Sequence, residues 1–276
     1  MNRQQKSSAE SGKNRKIMAL VLAGSRGASD VVAEAGGKRA KAFVEVSGIP
    51  MIERVIATVR ETGRCDTIHV SLPDRLPIQE ESPRLFEWLQ AGSVKAIAPD
   101  SSPAQSVLRA FPSQDENTVL LVTTGDHPLL SAAMVHDLLD AFDGGETDVA
   151  VGIVGTDAIR RRYPGIRRTA IHFRDGPVTG CNLFALQGEA GMSVVQFWTR
   201  MEARRKRPLR MAWALGMGTT ILYALGLLTL DSSLNRLGKR LGARLRAVRL
   251  ADVHAGIDVD TPGDLRLVRE IFERRE

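Results

Sequence analysis

Short unbroken apolar runs alternate with helix-periodic stretches over the first half of the chain. Ile17–Ala23 is a continuous apolar run closed by Gly24, the pattern of a strand buried on both faces. Phe43–Val46 is a second short apolar stretch. In MIERVIATVRETG the apolar residues Met51, Ile52, Val55, Ile56 and Val59 recur at helical spacing. Pro50 at the first turn and Gly63 past the end bound that helix. Further strands are predicted at Thr67–Leu72, Val94–Ala98, Thr118–Thr123 and Asp148–Val154, with helices at Pro83–Gln90, in SSPAQSVLRAF and at Ser131–Phe142. Strands alternating with helices predict an α/β fold with a mainly parallel sheet flanked by helices.

After residue 155 the rhythm changes. Thr169–Phe173 and Asn182–Leu186 read as strands around the turn RDGPVTG. Residues 188–246 read as a largely helical insertion, basic and then apolar. Ala247–Leu250 reads as a last strand, and Thr261 or Asp264 caps a helix running to about Glu273. No repeat and no sharp linker divides residues 16–276, which we take as one domain. Residues 1–15 are polar, lack the apolar region of a signal peptide and read as a disordered tail.

Of the 276 residues, 43% are apolar and 25% charged, an ordinary balance for a soluble domain. The net charge of +6 favours anionic partners, and much of it is local: RRR at 160–162, RR at 167–168, RRKR at 204–207. Aromatic residues, 5% of the chain, are not interleaved with these runs, which argues against a nucleic-acid surface. Cys65 and Cys181 match no metal spacing, suit a reducing cytoplasm and are not obvious nucleophiles. Residues 211–230, MAWALGMGTTILYALGLLTL, carry no charge and follow RRKRPLR. Their length just reaches that of a membrane span. Two readings stay open: a buried or interfacial helical pair broken by Gly216, Gly218 and Gly226, or peripheral membrane contact through 204–230.

Three segments carry candidate chemistry. In LAGSRGASD, Gly24 and Gly27 free the backbone to turn its N–H groups toward an anion, and Arg26 and Lys41 add charge. The spacing is neither GxGxxG nor GxxxxGK[ST], and alone the segment reads as a turn. In TTGDHPLL, Asp126 follows an apolar strand and so sits at the carboxyl edge of the sheet, where open α/β folds bind ligands. A carboxylate there suits Mg²⁺; the alternative is a cap for the helix near Ser131. His127 reads as structural. In GIDVDTPGDL, Asp258 and Asp260 alternate onto one face, a pair that attracts a divalent cation, whereas Asp264 fits the first turn of the last helix.

LAGSRG…KAFVEVSGIPMIERVI, VTTGDHPLL and DVDTPGDL, in that order, resemble the MobA-like nucleotidyltransferases, whose wider relatives include the cytidylyl- and sugar-nucleotide transferases of the GT-A-type fold. The resemblance covers about 17–155 and 254–272. It implies a GT-A-like, Rossmann-like sheet and a Mg²⁺-dependent transfer of NMP from an NTP, CTP or GTP favoured, to a phosphorylated small molecule. It places the triphosphate at Leu22, Ala23, Gly24, Ser25, Arg26 and Gly27. It puts Lys41 on the reacting phosphates, and Mg²⁺ on Asp126 with Asp258 or Asp260. It also places Ser102 and Ser106 near the nucleobase, and Thr179, Gly180 and Asn182 at the acceptor.

The chain departs from that family in its loop, AGSRGASD, and in VVAEAGGKR before Lys41. The extra length leaves Lys38 as a rival for Lys41, and reads as a mobile flap closing over the nucleotide with Lys41 as its anchored end. Two other activities fit parts of the sequence: a GT-A-type glycosyltransferase using DVD at 258–260, and a non-catalytic nucleotide-binding protein of the same fold.

Overall fold

The computed structural model describes residues 15–24, 30–112, 115, 117–142, 145–204 and 216–274. Nearly all of the polar N-terminal tail, and Ser25, Arg26 and Gly27, lie outside the described residues. The order of elements is β1 (Lys16–Leu22), α1 (Val31–Ala35), a 3₁₀ turn (Lys41–Phe43), β2 (Glu45–Val46), β3 (Ile49–Pro50), α2 (Met51–Glu61) and β4 (Thr67–Ser71). Next come α3 (Ile78–Glu81), α4 (Pro83–Gln90), β5 (Lys95–Ile97), α5 (Pro103–Ala110), β6 (Thr118–Thr124), α6 (Ala132–Asp140), β7 (Val149–Gly155) and α7 (Thr156–Arg162). The chain closes with β8 (Ile171–Phe173), β9 (Gly176–Gln187), α8 (Gly188–Arg204), α9 (Met217–Ala224), α10 (Leu230–Leu241), β10 (Leu245–Arg249), a 3₁₀ turn (Val253–Gly256) and α11 (Pro262–Glu273).

Eight strands form one sheet in the order β10-β7-β9-β6-β1-β4-β5, with β8 added on β9. β1 pairs in parallel with β4 and β6, and β10 with β7; β9 runs antiparallel to β6, β7 and β8. The sheet is therefore mixed and mostly parallel, as the alternation of strands and helices predicts. β6 is buried along nearly its whole length because helices cover both faces of the sheet, which is why its sequence, TVLLVTT, alternates so little. On α2 the helix-periodic residues Met51, Ile52, Val55, Ile56 and Val59 are all buried. Each such side chain contributes about 1.5–3 kcal/mol on leaving water. The insertion is helical through α8, α9 and α10. A capping box between Thr229 and Ser232 starts α10, and Gly242, at φ +68°, ends it in the left-handed conformation that favours glycine.

One expectation is overturned. VVAEAGGKR is not a flap: Asp30 caps α1 through the Val32 and Ala33 N–H groups, and Val32 is fully buried in a cluster with Val44, Val46, Met51, Ile257 and Val259. Two apolar residues in one short turn suffice to dock it on the C-terminal segment, so residues 31–41 belong to the framework. Lys38 pairs with Glu45 at 2.7 Å and Glu81 at 3.8 Å, which removes it as a rival of Lys41. No helix among the described residues is long and apolar enough to cross a membrane.

Candidate functional site

The parallel pairing of β1 with β6 sets Leu22 beside Thr124, so the segments leaving both strands emerge together at the carboxyl edge of the sheet. They are stitched there by the Gly125 N–H donating to the Leu22 carbonyl (2.8 Å), and the Ala23 N–H, donating to the Ser71 carbonyl (3.0 Å), ties the end of β1 to β4. Gly125 has no side chain for a steric reason. A Cβ there would stand 3.3 Å from Ala23 Cβ and 3.4 Å from Ala42 Cβ, so its absence lets the Lys41–Phe43 turn pack against the end of β1. The outcome is an open pocket lined by Leu22, Ala23, Gly24, Ala40, Lys41, Ala42 and Asp126. The loop after β5 borders it, since a Cβ on Gly24 would lie 3.5 Å from Pro99 Cβ.

Charge is concentrated on one side of this pocket. The Lys41 ammonium pairs with Asp126 Oδ2 and, at 2.9 Å, with Asp260 Oδ1. Burial lowers the Lys41 pKa, but the two carboxylates outweigh it and the ammonium is held above its ordinary value. Asp126 Oδ1 is buried and has no hydrogen-bond partner among the described residues. The Val259 N–H donates to the Asp126 carbonyl at 2.9 Å, which lays the GIDVDTP segment along the end of β6. Ile257 and Val259 face the core, so Asp258 and Asp260 fall on the opposite side, as their alternation predicts.

The two carboxylates then diverge. Asp260 is exposed and belongs to Lys41, whereas Asp258 turns inward. Its Oδ1 pairs with Arg168 Nη1 at 3.0 Å, and its Oδ2 accepts from Asn182 Nδ2 at 2.7 Å. Burial, then the charges of Asp126 and Asp260, push its carboxyl up to about 6, against the opposing pull of Arg168. Asn182 makes its contact from an unusual backbone, φ +49°, at the point in β9 where the register with β7 shifts. Asparagine tolerates that conformation better than most side chains.

The sequence marks Arg168 only as one of a basic group with Arg160–Arg162 and Arg167, a solvated face or an anion-recruiting rim, and the structure turns it inward instead. It lies in a run of arginines of which Arg160, Arg161, Arg162 and Arg167 are exposed, but its own side chain is only 10% exposed. Its guanidinium also reaches the Asp258 carbonyl at 2.8 Å and Asp264 at 3.1 Å. Asp264 thus closes the capping box with Thr261 and anchors Arg168 at once. The planar guanidinium is what lets one side chain hold both carboxylates.

The other sequence candidates fall as follows. Ser102 caps α5 by accepting the Gln105 N–H at 3.3 Å. Ser106 is buried and accepts the Asp100 N–H at 2.8 Å, so its hydroxyl shapes the loop after β5. Thr179 is buried, its methyl 3.2 Å from where a Cβ on Gly256 would stand, while Gly180 is open. Ser131, not Asp126, caps α6, and His127 is fully buried with its pKa lowered by that burial. Burial pushes the Cys181 thiol up to about 12 and the Cys65 thiol up to about 11, so neither is poised as a thiolate.

Among the described residues no three His, Cys, Asp or Glu side chains converge into a preformed metal cage. Mg²⁺ does not need one, because it takes one or two carboxylates and completes its shell with substrate phosphate and water. A buried carboxylate oxygen with no partner on Asp126, beside Asp258, fits that requirement.

A family model described as a MobA-like NTP transferase domain matches residues 19–242. Among solved structures, the chain is similar to a hypothetical transferase from Thermus thermophilus, at 28% identity and a TM-score of 0.71 over 91% of this chain and 99% of that one. It shares its fold with CMP:2-keto-3-deoxy-manno-octonic acid synthetase complexed with CTP (17% identity, TM-score 0.58, 95% of this chain and 100% of that one). It also shares it with 4-diphosphocytidyl-2C-methyl-D-erythritol synthase from Anaerococcus prevotii (12% identity, TM-score 0.57, 94% and 99%).

Proposed function

This chain belongs to the MobA-like NTP transferase family, and from that premise we propose that it transfers the nucleoside monophosphate of an NTP to a phosphorylated small molecule, releasing pyrophosphate. The observation that carries the reading is the pairing of Lys41 with Asp126 beside the backbone of Leu22–Gly24 at the carboxyl edge of the sheet, with Asp260 on the same ammonium and Asp258 within the field of both carboxylates. CTP is the favoured donor, since a synthetase of the same fold is complexed with it, and GTP comes next.

An oxygen of the acceptor phosphate forms the new bond to the α-phosphorus as the bond from that phosphorus to the α–β bridging oxygen breaks. Pyrophosphate leaves with the electron pair. No proton needs to move, because the acceptor phosphate is already ionised at neutral pH; a catalytic histidine is not required. The protein's work is to position the phosphates and neutralise their charge.

In this scheme the backbone at Ala23–Gly24, continued through Ser25, Arg26 and Gly27, holds the β- and γ-phosphates. Lys41 exchanges Asp126 and Asp260 for oxygens of the reacting phosphates. Asp126 and Asp258 would hold Mg²⁺, which when bound supplies positive charge to the triphosphate. Asn182 and the open Gly180 face the acceptor side, with Arg168 fixing Asp258.

The test is pyrophosphate release from each of the four NTPs with Mg²⁺ and a panel of sugar, polyol and isoprenoid phosphates, with the product identified by mass. Thermal-shift screening of the nucleotides first narrows the panel, because tight binding raises the melting temperature by mass action. Sugar transfer from a nucleotide-sugar without pyrophosphate would instead mark a glycosyltransferase. Nucleotide binding with no turnover over the whole panel would mark a binding protein.

A further inference from the structure

Helix α9, Met217–Ala224, has the sequence MGTTILYA and buries none of its residues. Met217, Ile221 and Leu225 follow one another at four-residue spacing, which sets them in a stripe along one face. Their exposures are 48%, 53% and 65%. Leu227 (53%) extends the surface just past the helix, whereas Tyr223 (41%) lies on the other side of α9, where its ring meets Phe173 edge-on at 6.0 Å. Single exposed apolar residues are ordinary, but a contiguous set with no charge among them marks an interaction surface.

The surroundings of the stripe are cationic. Arg174 is exposed, and its backbone N–H is tied to the Leu228 carbonyl at 2.8 Å. Exposed Arg240 has its guanidinium 3.0 Å from where a Cβ on Gly216, the residue preceding α9, would stand. Arg236, also exposed, lies one turn earlier on the same face of α10. The nearby carboxylates are Asp175, already paired with Arg249 and the Leu230 N–H, and the exposed Asp231.

We propose that α9 and the Leu225–Leu227 turn form a peripheral docking surface for an anionic phospholipid bilayer, with Ile221, Leu225 and Leu227 entering the headgroup boundary and Arg174, Arg236 and Arg240 meeting lipid phosphates. An apolar face beside arginines is the composition of interfacial membrane contacts. A second copy of the chain fits less well: a two-fold interface would bring the arginine clusters of both copies into one interface, where like charges repel. The proposal does not rest on the transferase reading, since none of these residues lines the pocket at Lys41 and Asp126.

The test is co-sedimentation of the full chain with vesicles of phosphatidylcholine alone and with phosphatidylglycerol added. The protein is expected to partition onto the anionic vesicles only, and less so as salt is raised. Ile221→Asp with Leu225→Asp should reduce partition about tenfold or more, with the thermal melt unchanged because both side chains are exposed. Arg174→Gln, Arg236→Gln and Arg240→Gln should each cost about fivefold. Three results would overturn the proposal: no partition onto anionic vesicles, partition indifferent to lipid charge or to the aspartate pair, or a dimer in sedimentation velocity that the aspartate pair dissociates.

Discussion

Lys41 and Asp126 meet as an ion pair at the carboxyl ends of β1 and β6, although almost the whole first half of the sheet separates them in sequence. The pair exists because Gly125 lets the Lys41 turn approach, and because the docking of α1 holds the chain that leads into that turn. The ammonium also bridges to Asp260, so one lysine ties the central strand to the C-terminal segment. In the proposed reaction that charge passes to the nucleotide.

Lys41→Ala is expected to lower kcat/KM for pyrophosphate release by about 10²–10³, the usual cost of removing one group that stabilises developing charge. Lys41→Arg should recover only part of this, since a planar fork does not occupy the place of a compact ammonium. Steady-state kinetics with the stabilising NTP checks both. Near-normal turnover in Lys41→Ala would remove it from the site.

Asp126→Asn keeps the shape of the side chain and leaves the backbone carbonyl free to accept the Val259 N–H, so the protein should fold. Mg²⁺-dependent turnover should nevertheless fall by about 10²-fold or more. A variant with normal thermal melting and normal turnover would show that the unpartnered oxygen of Asp126 has another purpose.

Part of this site is legible in the local pattern of the chain. Asp126 follows an apolar strand whose end has to emerge at the sheet edge, and Asp258 and Asp260 alternate onto one face, so local pattern marks these three, whereas Lys41 draws its weight from the resemblance of KAFVEVSGIPMI to the family. Arg168 could not be found that way, because nothing local distinguishes it from the exposed Arg167 beside it; only the fold turns one inward. The misreading of VVAEAGGKR has the same origin. A five-residue helix shows too little periodicity to announce itself, and the partners that bury Val32, such as Ile257 and Val259, lie at the far end of the sequence. The division of labour between Asp258 and Asp260 was equally hidden, since alternation puts both on one face but does not say which meets Arg168.

The pH dependence of stability should report on Asp258. Its carboxyl is pushed up to about 6 in the folded protein, first by burial and then by Asp126 and Asp260, whereas an unfolded aspartate titrates near ~3.9. Between those values the folded state holds a proton that the unfolded state has released, so stability falls as pH rises through about 4 to 6, by at most about 3 kcal/mol. In chelator-containing buffer, the melting temperature of Asp258→Asn minus that of the unsubstituted protein should therefore rise across this window. A difference that stays flat would show that Asp258 ionises in the fold as it does in water.

Gly125→Ala places a methyl 3.3 Å from Ala23 Cβ and 3.4 Å from Ala42 Cβ. Overpacking of this kind costs about 1–3 kcal/mol. Because the strain falls on the turn that carries Lys41, kcat/KM should drop further than the loss of melting temperature alone would explain. Full activity in the folded variant would show that the turn has room to shift.

Asn182 combines two properties that substitution can separate: a left-handed backbone at φ +49° and a 2.7 Å hydrogen bond to Asp258. Asn182→Gly keeps the first and loses the second, since glycine takes that backbone without steric cost. Asn182→Val loses both and adds strain of about 1–3 kcal/mol, because a β-branched residue resists positive φ. The valine variant should therefore melt well below the glycine variant. If Asn182 orients Asp258 and faces the acceptor, the glycine variant should raise the acceptor KM while leaving that of the NTP nearly unchanged. Equal melting of the two variants would mean that the backbone relaxes at this point. An unaltered acceptor KM in the glycine variant would confine the side chain to holding Asp258 in the fold.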